Sequence, residues 1–167
     1  SYLPAPPPTP IPDGEMIKNG KFDEGSSNWI FNVNGSTGAN GYNVVTQVSS
    51  NNVSKTTITN PGTDLWSLKL EQGSFELKKY KKYRLKFDAY ATISRGLKVE
   101  IVSESTSVKY LDTVANINSN NGSYSYEFSM FSNTDATCKL VFNMGQSNSG
   151  SGSHDIFIDN VSLKEIG

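Results

Sequence analysis

The stretch YRLKFDAYA, residues 83–91, decides the fold class, because its side chains alternate strictly between apolar and polar. The first set comprises Tyr83, Leu85, Phe87, Ala89 and Ala91. The second set comprises Arg84, Lys86, Asp88 and Tyr90. Successive side chains of a strand point to opposite faces, so this pattern is typical of an antiparallel strand with one face in the core and the other in water. It predicts a β protein.

The same two-residue period returns along the chain. Clear alternation lies at 97–101, 124–130 and 138–144. Weaker candidates lie at 29–33, 42–48, 55–59, 65–70 and 74–77. The last apolar stretch, 156–163, has apolar residues on both faces and predicts a bend or a strand covered on both sides. Because no helix-length segment shows a 3.6-residue apolar stripe, the sequence predicts an all-β fold, a two-sheet antiparallel β-sandwich of about ten short strands.

The composition narrows the classes of function. The chain has 167 residues, enough for one compact domain, and 15 basic against 16 acidic side chains give a net charge of −1. Such a charge supplies no field to gather nucleic acid or anionic lipid. One His and one Cys exclude a thiolate or imidazole metal cluster, so any metal must have oxygen ligands. The 8 Tyr, 8 Phe and 2 Trp favour a surface that recognises a neutral, polar ligand.

Residues 1–14, SYLPAPPPTPIPDG, hold six of the seven prolines. Proline fixes φ and favours an extended polyproline II conformation, so this segment is predicted to be a semi-rigid linker, followed by one module at 15–167. An added tail and a ligand of SH3-type domains are the alternatives. The sequence shows neither a signal peptide nor an apolar run of about 18 residues, which fits a module from within a larger secreted chain.

Catalytic motifs are weak in this sequence. His154 and Asp155 lie near the serine-rich segment 145–150, but a nucleophile elbow requires a helix after the serine, and none is predicted there. A pair of carboxylates could serve a glycosidase. The carboxylates Asp88, Glu100, Glu104 and Glu127 alternate outward beside Lys and Arg, as on a solvated face. The sequence therefore predicts a protein that is not an enzyme.

Recognition is the alternative to catalysis. Sugars present apolar C–H faces that stack on aromatic rings, while their hydroxyl groups bond to amide and charged side chains. The candidate rings are Trp66, Tyr90, Tyr110 and Tyr42, with Lys69, Gln72 and Asn143 as polar neighbours. Strict alternation with Leu68 and Leu70 would place Trp66 in the core, whereas a break at 62–64 would turn the indole outward.

Three stretches carry a resemblance to a known family. They are NGKFD at 19–23 followed by Gly25 and Trp29, LWSLKL at 65–70 followed by 83–91, and FNMG at 142–145 followed by IFIDNVSL at 156–163. In this order and spacing, they resemble carbohydrate-binding module family 4 and its relatives, families 9, 16 and 22. The resemblance covers about Met16 to Ile166.

The resemblance implies a jelly roll that binds a single β-glucan chain in a cleft on the concave sheet and targets a parent glycoside hydrolase to polysaccharide. Trp66 would be the stacking platform, Tyr110 the opposing ring and Asn143 a hydrogen-bonding partner of the sugar. Lys69 stands where relatives often have Gln or Glu, and Tyr90 stands where several have Trp. The alternatives are a structural module with a degraded cleft, and a xylan binder.

The resemblance also implies a structural Ca²⁺ ion. Its ligands would be carbonyl groups of Lys21 and Lys55, the side chains of Asp23 and Asp159, and a position near Asn52, where relatives often have a carboxylate. Ordinary turn hydrogen bonding by the two aspartates is the alternative. The expected context is a monomeric module of a secreted bacterial protein, on the cell surface or in a multi-enzyme complex, with no nucleic acid or membrane partner.

Overall fold

The structure is a computed structural model, and it describes residues 14–147 and 152–167. The predicted linker therefore lies outside the described residues, except for Gly14. Across the described ranges, ten strands and two short 3₁₀ turns, Gly35–Thr37 and Leu65–Ser67, make up the regular structure. The strands are β1 (Ile30–Val33), β2 (Asn40–Val48), β3 (Asn51–Asn60), β4 (Leu68–Leu77), β5 (Lys82–Ala91), β6 (Arg95–Ser103), β7 (Lys109–Ile117), β8 (Gly122–Ser129), β9 (Asp135–Asn143) and β10 (His154–Glu165).

These strands form two five-stranded antiparallel sheets. The first sheet has the order β1-β4-β9-β6-β7 and the second has the order β2-β3-β10-β5-β8. Strands that are distant in sequence lie next to each other in both sheets, as in a jelly roll. The predicted all-β sandwich is thus confirmed. No helix in the described part of the chain is long and apolar enough to cross a membrane.

The alternation that decides the fold class is realised in β5. Its apolar set, Tyr83 to Ala91, is buried at every second position, and the strand pairs with β10 on one side and β8 on the other. Two predicted strands, 65–70 and 74–77, become one: β4 runs from Leu68 to Leu77, and residues 65–67 form a 3₁₀ turn instead of a strand. Strand β7 is absent from the predicted set, since Thr113 interrupts its buried series of Leu111, Ala115 and Ile117.

The core lies between the sheets and is centred on aromatic rings. Phe142 packs edge-on against Phe87, with ring centroids 5.1 Å apart, and against Trp29 at 6.4 Å. Cys138 is buried among these strands, and burial raises the pKa of its thiol to about 12. A thiol with such a pKa carries almost no thiolate at neutral pH and behaves as a small apolar side chain.

The last strand contains the predicted bend. The pairing of β10 with β5 shifts register between Asp159 and Ser162, so that residues on both sides of the bulge direct apolar side chains into the core. Asn160 takes a positive φ of 52° within it. The backbone N–H of Val161 then donates to the carbonyl of Gly20 at 3.0 Å, which fastens the segment before β1 to the second sheet.

Candidate functional site

Trp66 lies on an exposed turn rather than in the core. It is 48% exposed and belongs to the 3₁₀ turn that precedes β4. Asp64 and Ser67 close the turn through a reciprocal capping box, with the Asp64 N–H donating to the Ser67 hydroxyl at 3.2 Å. Of the two alternatives left open by the sequence, the structure has the break in register that turns the indole outward.

The Trp66 turn is fixed to the end of β9. The N–H of Gly145 donates to the Leu65 carbonyl at 2.8 Å, and the N–H of Gln146 donates to the Asp64 carbonyl at 3.1 Å. A side chain at Gly145 would place its Cβ 2.1 Å from the Asp64 carbonyl oxygen, so only glycine permits this approach. The indole therefore has a rigid base.

A buried arginine supports the same corner from inside. Arg95 is 2% exposed, and its guanidinium donates to the carbonyls of Met144 (3.0 Å) and Gly145 (2.9 Å). Its Nη1 also lies 2.9 Å from Nε2 of His154, whose Nδ1 lies 2.9 Å from the Gly152 carbonyl. These contacts fit a neutral imidazole that donates from Nδ1 and accepts at Nε2.

Burial governs the protonation of this pair. It lowers the pKa of Arg95 to about 10 and, together with the Arg95 charge, lowers the pKa of His154 below its ordinary value. The sequence analysis weighed His154 only as a catalytic residue and missed Arg95. The sequence does contain a signal for the role of Arg95: it is a charged residue at an inward-facing position of the alternating series that Leu97, Val99 and Ile101 continue.

The outer face of the first sheet is polar and charged. Strand register arranges its outward residues in three rows across the sheet, which we call the charged face. The first row is Asn32, Lys69, Asn143, Lys98 and Val114; the second is Ile30, Glu71, Val141, Glu100 and Asp112; the third is Gly73, Lys139, Val102 and Lys109. Of the predicted site residues, Lys69 and Asn143 lie here, next to the end of the sheet that carries Trp66.

Ion pairs cross this face between neighbouring strands. Lys139 Nζ lies 3.3 Å from Glu71 Oε2, and Lys109 Nζ lies 2.5 Å from Glu100 Oε2. Lys98 pairs with Asp112. The hydrogen bond with Glu100 raises the pKa of Lys109. Opposite charges on adjacent strands thus hold one another in place along the sheet.

Two amides complete this arrangement. Asn143 is only 3% exposed, and its Nδ2 donates to Glu100 Oε1 at 2.6 Å. Asn32 Nδ2 donates in the same way to Glu71 Oε1 at 2.7 Å. Each residue therefore uses an amide donor within the protein, and Asn143 also donates to the Lys98 carbonyl at 3.4 Å. Sequence reasoning found Asn143 but missed Asn32, whose partner lies on a strand far away in the chain.

Tyr110 does not face Trp66 across a groove. It lies near the start of β7, four residues before Val114, which belongs to the same row as Lys69. The row of Lys69 is the one nearest to Trp66, so Tyr110 lies further from the Trp66 end of the sheet than that row. Its hydroxyl donates to Asp135 at 2.7 Å, and burial followed by this bond raises the pKa of Tyr110. Although burial alone would raise the pKa of Asp135, hydrogen bonds from Ser103, Tyr110 and Thr137 hold it well below its usual range.

Tyr90 and Gln72 lie elsewhere. Tyr90 is on the outer face of the second sheet, where its ring stacks on Phe157 at 4.4 Å and an interplanar angle of 5°. Gln72 is 4% exposed and faces inward, with both amide atoms bonded to the backbone of Lys18 at 2.8 and 2.9 Å. The expectation that the predicted residues share one cleft is therefore wrong for these two. The exposed Tyr42 also belongs to the second sheet.

The residues proposed as calcium ligands meet in part. Asn52 Nδ2 donates to Asp23 Oδ1 at 3.2 Å. Burial and the nearby charges of Asp88 and Asp23 raise the pKa of Asp159, while Lys21 opposes this effect. Lys55 lies further along β3, opposite Phe157, with its Nζ 5.8 Å from that ring. Within residues 14–147 and 152–167, no group of three or more His, Cys, Asp or Glu side chains is arranged to hold a metal ion.

Comparison with known proteins identifies the class. The CBM_4_9 family model, described as a carbohydrate binding domain, matches residues 14–154. The chain belongs to this family of carbohydrate binding domains, which implies a polysaccharide ligand and a role that is typically non-catalytic. No curated protein matches the sequence significantly.

Solved structures share the fold at low sequence identity. A CBM4 structure is 22% identical, with a TM-score of 0.77 over 90% of this chain and 100% of that one. The N-terminal cellulose-binding domain of Cellulomonas fimi β-1,4-glucanase C is 13% identical, with a TM-score of 0.61 over 87% and 97% of the two chains. TmCBM61, solved with β-1,4-galactotriose, is 13% identical, with a TM-score of 0.64 over 91% and 99%.

Proposed function

We propose that this domain binds a single β-glucan chain along the outer face of the first sheet, with Trp66 as the stacking platform. The observation that carries the proposal is the indole itself, half exposed on a turn that Gly145 and Arg95 hold rigidly at the end of the charged face. A rigid aromatic ring beside polar side chains supplies contact area at low entropic cost, which suits the alternating apolar and hydroxylated surfaces of a sugar chain.

The proposed biological role is targeting. A secreted module of this kind keeps a parent glycoside hydrolase near its polysaccharide, and a proline-rich linker at 1–14 would set the distance between the two. Tethering raises the effective concentration of substrate without contributing catalytic groups. We expect an affinity of about −4 to −8 kcal/mol, corresponding to millimolar to micromolar dissociation constants.

The test is affinity electrophoresis of the purified domain in gels that contain laminarin, barley β-glucan, hydroxyethylcellulose or xylan. The expected result is retardation by at least one β-glucan, which Trp66→Ala abolishes. Tyr42→Ala is the matched control, because it removes an exposed ring from the other sheet. Retention of binding by Trp66→Ala would refute the role of the indole, and retardation by xylan alone would replace β-glucan with xylan as the ligand.

A structural role is the second candidate, and the charged face favours it. Of the three rings expected in the cleft, Trp66, Tyr90 and Tyr110, only Trp66 is available here, half exposed at the edge of this face, and lysine–carboxylate pairs occupy the rows beside it. Such a face could pack against a neighbouring domain of the parent protein. Absence of retardation by all four polymers, with the fold intact by circular dichroism, would favour this candidate over glycan binding.

A calcium site is proposed at the corner formed by Asp23, Asn52 and Asp159. Two carboxylates with an amide and backbone carbonyls provide the oxygen ligands that Ca²⁺ takes. A cation there would offset the burial and the repulsion by Asp88 and Asp23 that together raise the pKa of Asp159. We expect millimolar CaCl₂ to raise the melting temperature of the wild type but not that of Asp159→Asn. An equal rise with MgCl₂, or in the variant, would contradict the proposal.

A further inference from the structure

We propose that the glycan chain recognised on the charged face carries carboxylate groups and that the ammonium of Lys69 binds them. This inference rests on the proposed function and names the kind of β-linked chain within it. The observation behind it is an imbalance between positive and negative side chains on this face. The three rows contain four lysines and three acids, Glu71, Glu100 and Asp112, so one positive charge has no counterpart.

The carboxylates on this face already have partners within the protein. Glu71 accepts from Asn32 at one oxygen and pairs with Lys139 at the other. Glu100 accepts from Asn143 at one oxygen and pairs with Lys109 at the other. The Oε2 atoms of both glutamates are buried, so a ligand cannot reach them from solution. Asp112 pairs with Lys98 and lies near Lys109 as well. Sugar hydroxyl groups would therefore find few free carboxylate acceptors here.

Lys69 is the lysine left over. It makes no ion pair with any carboxylate of the residues that the structure describes, whereas Lys98, Lys109 and Lys139 each make one. An ammonium group has three N–H donors and no acceptor, so Lys69 presents an unpaired positive charge and its donors to a ligand on this face. A ligand rich in acceptors and negatively charged is the complement of such a face, and a carboxylated sugar meets both requirements.

The position of Lys69 links it to the stacking platform. It lies three residues after Trp66, in the row nearest to the turn, between Asn32 and Asn143 on the neighbouring strands. Lys69 is the first outward-facing residue of β4 after the turn. A sugar stacked on the indole and extending along the sheet would therefore bring its next unit, or its own substituent, toward the ammonium.

The test compares two soluble celluloses that differ in substituent charge. Carboxymethylcellulose and hydroxyethylcellulose share a β-1,4-glucan backbone, and their affinities for the domain are measured by titration calorimetry at 20 mM and 300 mM NaCl. At low salt, we expect wild type to bind carboxymethylcellulose about fivefold more tightly than hydroxyethylcellulose for each carboxylate that forms an ion pair. A partly exposed ion pair contributes about this factor to the affinity. The preference should shrink at high salt.

Two charge-removing variants make the assignment specific. Lys69→Gln restores an amide where relatives often have one and should bind both polymers with equal affinity. Lys86→Gln removes a lysine from the outer face of the second sheet and should keep the wild-type preference. Equal binding of both polymers by wild type, or a preference retained by Lys69→Gln, overturns the inference and leaves the proposed function standing. Failure to bind either polymer, with the fold intact, overturns the inference, and the proposed function falls with it when laminarin and barley β-glucan also fail to retard the domain.

Discussion

Replacing Gly145 with alanine should destabilise the protein and separate the Trp66 turn from the first sheet. The new Cβ would lie 2.1 Å from the carbonyl oxygen of Asp64 and 2.7 Å from that of Leu65. Both atoms belong to the backbone, so a side-chain rotation cannot relieve the contact. The strand end and the turn must move apart, and the hydrogen bond from Gly145 N–H to Leu65 is stretched or lost.

The expected cost is about 2–4 kcal/mol, combining roughly 1–3 kcal/mol for overpacking with about 1 kcal/mol for a weakened hydrogen bond. With a urea dependence of about 2 kcal/mol per M, the unfolding midpoint should fall by about 1–2 M. Glycan retardation should weaken in parallel, because the indole loses its base.

The control is Gly35→Ala. It introduces the same methyl group in the neighbouring 3₁₀ turn, Gly35–Thr37, where nothing lies within 4 Å of the new Cβ. Its free energy of unfolding should stay within about 0.5 kcal/mol of wild type, as for an ordinary surface substitution. If Gly145→Ala unfolds at the same urea concentration as Gly35→Ala and still binds glycan, the turn is not held as we describe.

Two further variants test the interior. Because burial lowers the folded-state pKa of His154 below the 6.5 of the unfolded chain, the unfolded state binds more protons below that pH. The stabilisation that depends on neutral His154 should be complete above about pH 6.5 and should fall as the pH drops below it. His154→Gln keeps an acceptor for Arg95 and should reduce this pH dependence of stability in urea melts at pH 7.5 and 5.5. An unchanged pH dependence in the variant would contradict the prediction. Phe142→Ala removes the ring between Phe87 and Trp29 and should cost about 3–5 kcal/mol in the same assay, whereas a loss below about 1 kcal/mol would show that the core collapses around the cavity.

The fold could be predicted because it depends on local alternation. The pattern in β5 is visible in nine consecutive residues, and it places every side chain of that strand on the correct face. Strand β7 could not be recognised in this way, because Thr113 occupies the position where an apolar residue would have continued the series. Pairing with β6, the strand directly before it in the sequence, supplies the stability that its own sequence lacks.

The candidate site was predictable only in part, because alternation tells which residues face outward but not which sheet they join. Tyr90 does face outward, on the second sheet. Gln72 continues the inward-facing series of Leu68 and Leu70, but its polar character led to its prediction as a sugar-binding residue. Its amide instead forms hydrogen bonds with the backbone of Lys18, 54 residues away in sequence. The strand neighbours of Lys69 and the carboxylate that binds Asn143 likewise come from strands that only the folded topology brings together.

The ion pairs of the charged face also bear on the entropy of binding. Immobilising a long side chain at an interface costs about 0.5–1.5 kcal/mol in lost rotamer freedom. Lys98, Lys109 and Lys139 are already oriented by their carboxylate partners when the chain folds. A ligand that settles on this face therefore has to order only Lys69, so even a short oligosaccharide meets a surface that is largely arranged before it arrives.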